Sequence, residues 1–286
     1  GATVALYDGA TLVGTTTADG TTGAWSITSN ALTTQGVHNL TAKQTDIAGN
    51  SSVASAVLAV TIDTVNPAAP TALDLVVASD TGFSTTDNNT SDDTPTITGT
   101  AEAGATVRLY EGDTLLGTAV ASATGAWSIT SEALTTQGVH NLTATQTDKA
   151  GNTSVASAAL SITIDTTPDA APVAPNLVDA SDSGSSNSDN ITNKTLPTFN
   201  GTYGVVGDRI QVFKDTNNNG LVDSGELLGT GIVTADHSWS VTPTVAMTAG
   251  TYKIKAVAVD LAGAVSEASE ALTITIDTSA AAPTGL

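Results

Sequence analysis

Two stretches of this chain recur almost letter for letter. GAWSIT occupies 23–28 and again 125–130, and ALTTQGVHNLTA occupies 31–42 and again 133–144. Looser marks extend the pattern to a third unit: Trp25, Trp127 and Trp239; Asp46, Asp148 and Asp260; Asp63, Asp165 and Asp277. The tryptophans step from 25 to 127 to 239, that is by 102 and then 112 residues, and both Asp series keep the same steps. A unit of about 100 residues is too long for a solenoid repeat and suits one β-sandwich, so the chain reads as an array of separate domains. Unit one (1–66) is partial: Gly1 aligns with Gly104, so its first two strands are missing. Unit two (67–168) is complete. Unit three (169–279) holds its extra residues between Gly207 and Trp239, and 280–286 reads as the start of a next linker.

The strands can be placed within unit two. TPTITGT (94–100), ATVRLY (105–110), LLGTAV (115–120), AWSIT (126–130), HNLTATQT (140–147) and SVASAALSITID (154–165) are short β-rich runs. Turn signals such as Glu111-Gly112-Asp113 and Thr124-Gly125 separate them. No segment carries a 3.6-residue apolar period. By the period of two, Trp127 and Ile129 share one strand face, as do Tyr252, Ile254 and Ala256. One Trp per unit with Val, Leu and Ile predicts small aliphatic cores. The expected class is all-β: tandem immunoglobulin-like sandwiches arranged as an elongated rod. Tyr252 follows Gly250-Thr251 where such sandwiches place a tyrosine whose hydroxyl closes a backbone hydrogen bond. The repeat offset puts His140 and His38 at the same place. Neither has a second His or Cys at ligand spacing, so both are read as filling that structural role rather than holding a metal.

The extra residues of unit three have a chemistry of their own. Residues 215–226 read Asp-Thr-Asn-Asn-Asn-Gly-Leu-Val-Asp-Ser-Gly-Glu, the pattern of an EF-hand calcium loop. Oxygen ligands are expected from Asp215, Asn217, Asn219, Asp223 and the bidentate Glu226, with a main-chain carbonyl from Leu221 and the sharp turn at Gly220. A plain Asn-rich turn would also use Asn and Gly, but it would not require Glu226 at the twelfth place. The flanking Gln211-Val212-Phe213 and Leu227-Leu228-Gly229 read as strands, so the loop should close a hairpin without the usual helices.

Charge and composition narrow the setting. Acidic residues number 28 against 8 basic ones, a net charge of −20, which excludes ordinary binding to a phosphate backbone. Such a charge repels itself unless cations offset it. Cysteine is absent, so disulfides and thiolate zinc sites are excluded and bound calcium is the expected staple. No stretch reaches the ~18 apolar residues of a membrane span.

The ends of the units carry a recognisable signature. Thr-Ile-Asp-Thr closes each unit, followed by Pro-rich linkers, then SDTGFSTTDN (79–88) or SDSGSSNSDN (181–190), with DKAGN at 148–152. In these features the chain resembles the bacterial Ig-like repeats of giant type I-secreted (RTX-type) surface adhesins. The resemblance implies a calcium-rigidified extender on the bacterial cell surface that holds a distal adhesive domain away from the cell, for attachment or biofilm formation. It also implies an extracellular location, several Ca²⁺ ions, neighbouring repeats of the same chain as partners, and a monomer. Nothing in the repeats identifies the distal ligand.

In an Ig-like strand order the last strand ends at the bottom of one domain, against the top loops of the next. Asp63 is therefore expected near Glu102 and the Asp148–Asn152 turn across the first junction, and Asp165 near Asp260 across the second. Convergent carboxylates without basic partners repel one another, and a Ca²⁺ removes that penalty. Capping of turns is the bland alternative for the same Asp residues. Gly204 and Ala264 stand where Glu102 and Asn152 stood, so the second site is expected to be weaker or rebuilt around Asp208, and the second junction to be the hinge. In the loops at 80–93 and 182–190, Asp80, Ser84, Asp87 and Asn88, and Asp182, Ser186, Asp189 and Asn190, offer a further ion site each. A solvated polar loop is the competing reading.

Three function classes follow. A structural extender has reason to repeat and none to keep a pocket. A glycan- or host-surface-binding module would show a non-repeated cluster of exposed aromatics, and the insertion in unit three is the non-repeated feature of note. An enzyme would need an acid/base pair or nucleophile in a cleft, whereas Asp recurring at fixed repeat positions suits metal ligation; no catalytic activity is expected.

Overall fold

A computed structural model describes residues 1–280. Of the linker expected at 280–286, all but Ala280 lies outside the described residues. Every regular element among the described residues is a β-strand. The middle repeat makes two sheets. Thr71–Leu75, Thr96–Thr100 and Ala126–Thr130 form one; Asn89–Thr90, Leu160–Ile164, Gly138–Thr147, Thr106–Glu111 and Thr114–Val120 form the other, in those spatial orders. The third repeat does the same. Asn176–Leu177, Phe199–Thr202 and Ser238–Val241 pair in one sheet, and Ile191–Thr192, Leu272–Ile276, Gly250–Val259, Arg209–Lys214 and Leu227–Ile232 in the other.

Period-two burial joins each pair of sheets. Trp127, Ile129, Val107, Leu109, Leu142 and Ile162 meet in one core, and Trp239, Val241, Ile210, Val212, Ile254 and Ile274 in the next. In both of these cores the tryptophan ring packs closely against a glycine of the neighbouring strand. A Cβ on Gly99 would come within 2.5 Å of the Trp127 ring, and one on Gly201 within 2.6 Å of Trp239.

The first repeat has a single sheet, ordered Thr11–Thr17, Thr3–Asp8, Gly36–Thr45, Leu58–Ile62. Its AWSIT segment is not a strand, although the identical segment of the second repeat is. The difference is the partner: Ala126–Thr130 pairs with Thr96–Thr100, whereas among the described residues no strand pairs with residues 24–28. Trp25 is consequently 49% exposed, against 4% for Trp127.

One strand is shorter than its composition suggests. The run 154–165 is regular only over Leu160–Ile164. Upstream, the chain still follows Gly138–Thr147, but through serine hydroxyls. Ser154 and Ser157 donate main-chain N–H groups to Gln146 O and Ala144 O, while their Oγ atoms accept from the N–H of the same two residues. A side chain thus replaces every second rung of the ladder.

The structural corner appears in all three repeats. Tyr252 Oη donates to Thr248 O at 2.9 Å, and His140 Nε2 and His38 Nε2 lie 2.9 Å from Thr136 O and Thr34 O. The other ring nitrogens face Glu111 at 2.7 Å and Asp8 at 2.6 Å. Where Tyr252 replaces His, Lys214 replaces the acid: Glu111 is opposite Leu142, and Lys214 is opposite the corresponding Ile254.

Candidate metal centres

The 215–226 loop closes the hairpin of Arg209–Lys214 and Leu227–Ile232. Gly220 has φ +76°, the left-handed turn that glycine makes at no steric cost. Asp215 and Glu226 are buried at the two ends, while Asn217, Asn219, Leu221 and Asp223 are exposed. Every carboxylate is held by a donor of the chain. Asp215 accepts the N–H groups of Asn219 and Gly220 and pairs with Lys255 Nζ at 2.9 Å. Asp223 Oδ2 accepts the side-chain amides of Asn217 at 2.7 Å and Asn219 at 2.9 Å. Glu226 accepts the N–H and hydroxyl of Thr216. Burial works to raise the Asp215 carboxyl, but Lys255 and the Gly220 N–H hold it below the usual range; the Thr216 hydroxyl does the same for Glu226. The donor set suits a hard dication, since Asn217 and Asn219 need only turn amide oxygen inward in place of nitrogen. Among the described residues, no three Asp, Glu, His or Cys side chains form a ready-made cluster, here or elsewhere.

The loops following Ser79 and Ser181 hold buried oxygens without partners. Asp80 is 2% exposed; its Oδ2 accepts the Asn88 N–H, whereas its Oδ1 and the Asn88 Oδ1 have no hydrogen-bond partner. Burial raises the Asp80 carboxyl, and the charges of Asp87 and Asp74 add to it. Asp182 repeats the arrangement: Oδ2 accepts the Asn190 N–H at 3.1 Å and Oδ1 is unpartnered. Asp87 and Asp189 are exposed and accept the N–H two residues on, at 3.1 Å each. Ser84 and Ser186 accept the N–H groups of Thr86 and Ser188.

The two junctions differ. At the first, the Asn152 side chain donates to Asp63 O at 3.1 Å and to Asp148 Oδ2 at 2.8 Å. Asp148 Oδ1 accepts the N–H groups of Ala150, Gly151 and Asn152, so this carboxylate is spent on its own turn and is held low, chiefly by Asn152. The Asp63 carboxylate accepts the Val65 N–H. Glu102 is exposed, and its N–H donates to Gln146. At the second junction Asp260 uses Oδ1 for the same turn, but Ala264 stands in place of Asn152 and Asp260 Oδ2 is left buried and unpartnered. Burial raises its carboxyl, and the charge of Asp165 adds to that. Asp208, 1% exposed, also has a free Oδ2. Burial, with Asp169 and Asp260 alongside, pushes its carboxyl up to about 7.

Two buried oxygens without partners, Asp208 Oδ2 and Asp260 Oδ2, with Asp169 and Asp165 near them, leave negative charge uncompensated at this junction. The second site is expected to be weaker or rebuilt around Asp208, and Asp208 does stand beside Asp260 here; direct contacts also join the two repeats. Thr81 Oγ1 donates to Ala262 O, as does the Ser91 N–H at 3.0 Å, and the Arg209 guanidinium lies 4.0 Å over the Phe83 ring. Gly82, at φ +95°, lets the backbones meet; a Cβ there would come within 2.2 Å of Leu261 O.

A family model described as bacterial Ig-like domain matches residues 1–64, 66–166 and 169–278. The chain belongs to the bacterial Ig-like domain family. Exoglucanase B of Cellulomonas fimi is 33% identical over 204 residues, covering 68% of this chain and 17% of that protein, so the chain spans under a fifth of this curated relative. A Ca²⁺-stabilized adhesin that helps an Antarctic bacterium reach out and bind ice is 22% identical with a TM-score of 0.34, over 97% of this chain and 65% of that one. A tetra-tandem repeat in the extending region of a large adhesion protein is 19% identical with a TM-score of 0.31, over 97% and 67%. Among the described residues of these Ig-like domains, no helix is long and apolar enough to cross a membrane.

The bacterial Ig-like repeats conceal one acid from a repeat-based reading. Asp208, already singled out in the sequence, takes the place of Ala105, as the N–H bonds of Val233 to Asp208 O and of Ala121 to Ala105 O show. Asp169 belongs to the linker and does not recur, so it does not stand out by periodicity.

Proposed function

We propose that this chain is a calcium-stabilised structural extender of a large bacterial surface adhesin, an extracellular spacer that projects a distal adhesive domain. The observation that carries the reading is the set of buried, unpartnered carboxylate oxygens at repeat ends: Asp80 Oδ1, Asp182 Oδ1, Asp208 Oδ2 and Asp260 Oδ2, in a chain of net charge −20. Such oxygens cost stability unless a cation pairs with them, and Ca²⁺ takes six to eight oxygens in flexible geometry.

Asp165, Asp169, Asp208 and Asp260 would hold an ion at the second junction. Asp80 with Asn88, and Asp182 with Asn190, would each hold one beside the exposed Asp87 and Asp189. Asp215, Asn217, Asn219, Leu221, Asp223 and Glu226 would hold one in the hairpin loop. At the first junction Asp63, Glu102, Asp148 and Asn152 would share an ion only after Asn152 releases Asp148. Bound calcium would neutralise the acids and crosslink neighbouring repeats into a stiff monomeric spacer, with neither nucleic acid nor membrane as partner and with no catalysis.

Because calcium would bind the folded chain, its melting midpoint should rise with free calcium. Scanning calorimetry of the full chain in EDTA and in millimolar calcium tests this. A higher midpoint and a longer, stiffer particle by small-angle scattering in calcium are expected; superimposable melts would refute the reading.

A further inference from the structure

Three of the chain's eight basic residues, Lys214, Lys253 and Lys255, stand beside the 215–226 loop. Lys253 and Lys255 lie on Gly250–Val259, where the corresponding strand Gly138–Thr147 has Asn141 and Thr143. These cations therefore occur only in the repeat that carries the loop. Register places Lys255 opposite Phe213, two residues before the first loop acid. Its Nζ reaches Asp215 Oδ2 at 2.9 Å; the Asp215 side chain is 0% exposed and that of Lys255 17%. Lys253 Nζ donates to Asn218 Oδ1 at 2.9 Å on the rim.

We propose that Lys255 is the resident counter-ion of this loop: it pairs with Asp215 when calcium is absent and lowers the loop's affinity for calcium when the ion enters. The inference rests on the reading of the loop as a calcium site. A fully buried Asp215 carboxylate would otherwise leave an uncompensated charge in the folded protein, a costly state. The ammonium removes that cost, so the hairpin keeps its shape without the ion. Asp215 Oδ1 takes only the Asn219 N–H at 3.1 Å and stays available to a metal. Calcium on Oδ1 then sits close to a fixed positive charge on Oδ2, and the repulsion falls on the ion. Lys255 thereby sets the loop to fill at the high calcium of an extracellular medium, in the weak range of EF-hand affinities.

Calorimetric calcium titration of the full chain tests this, with the loop's share isolated as the difference from a Glu226→Gln variant. Lys255→Met should tighten loop binding roughly tenfold and lower the melting midpoint in EDTA. Lys255→Arg, which keeps the charge, should leave affinity within about twofold. Lys255→Gln is the second uncharged variant should the methionine form fail to fold. Loop affinity that is unchanged or weaker in the uncharged variants overturns the inference and leaves the loop's calcium site standing. Equal ion numbers in the wild type and Glu226→Gln would overturn the site itself and, with it, the role of Lys255.

Discussion

A histidine whose two ring nitrogens both face oxygen acceptors bonds to both best as the protonated ring, which donates from each. His38 meets Thr34 O at 2.9 Å and Asp8 Oδ2 at 2.6 Å. The Thr34 carbonyl first, and Asp8 second, hold the His38 ring above its ordinary pKa of 6.5. The sign follows directly. A folded pKa above the unfolded one gives stability that is complete below about pH 6.5 and is lost as pH rises through the folded value. In the third repeat Tyr252 donates its hydroxyl to Thr248 O, with Lys214 where the acid stood. A His38→Tyr variant should therefore lose part of the decline in melting midpoint expected of the wild type as pH rises above about 6.5. Equal pH dependence in both proteins would show that His38 is not charged in the fold. The shared corner was legible from the offset of His38, His140 and Tyr252; the raised pKa of His38 was not, because Asp8 comes from another strand.

Along the elements, legibility followed the period of the side chains. Trp127, Ile129 and Ile254 alternate as strands require, and their burial could be read directly. Alternation failed where a side chain took over the backbone's bonding, as in the serine-bearing segments before Leu160–Ile164 and Leu272–Ile276, whose small residues look like any β-rich run. Ser269 Oγ accepts the N–H of Ala256 at 2.9 Å, and Ala256 is 0% exposed. Ser269→Ala should strand that donor and cost about 1–3 kcal/mol in chemical denaturation. The equivalent bond in the first repeat, from the Ala42 N–H to Ser55 Oγ at 3.0 Å, is open to solvent. Water can replace it, so Ser55→Ala should change stability by less than about 0.5 kcal/mol. Equal effects of the two substitutions would mean that the hydroxyls do not serve as ladder acceptors.

For the whole molecule, what matters is how one repeat is joined to the next, and here the departures from the repeat outweigh the repeat itself. Asn152 completes the turn around Asp148 and silences its carboxylate; Ala264 cannot do so, and Asp260 Oδ2 is left free. Asp208 then replaces Ala105, a residue 1% exposed, and brings a second free oxygen to the same place. On the proposed function, such a pair would destabilise the calcium-free array and give calcium its largest effect at that junction. Returning Asp208 to alanine separates the two effects, because the sister repeat shows that alanine fits. In EDTA, Asp208→Ala should be more stable than the wild type by about 1–3 kcal/mol, the cost of an unpaired buried polar group. In millimolar calcium the wild type should recover that difference while the variant gains less, and scattering should show less calcium-dependent lengthening in the variant. A variant that is less stable in EDTA, or that responds to calcium as fully as the wild type, would mean that Asp208 is a structural acid and not a ligand.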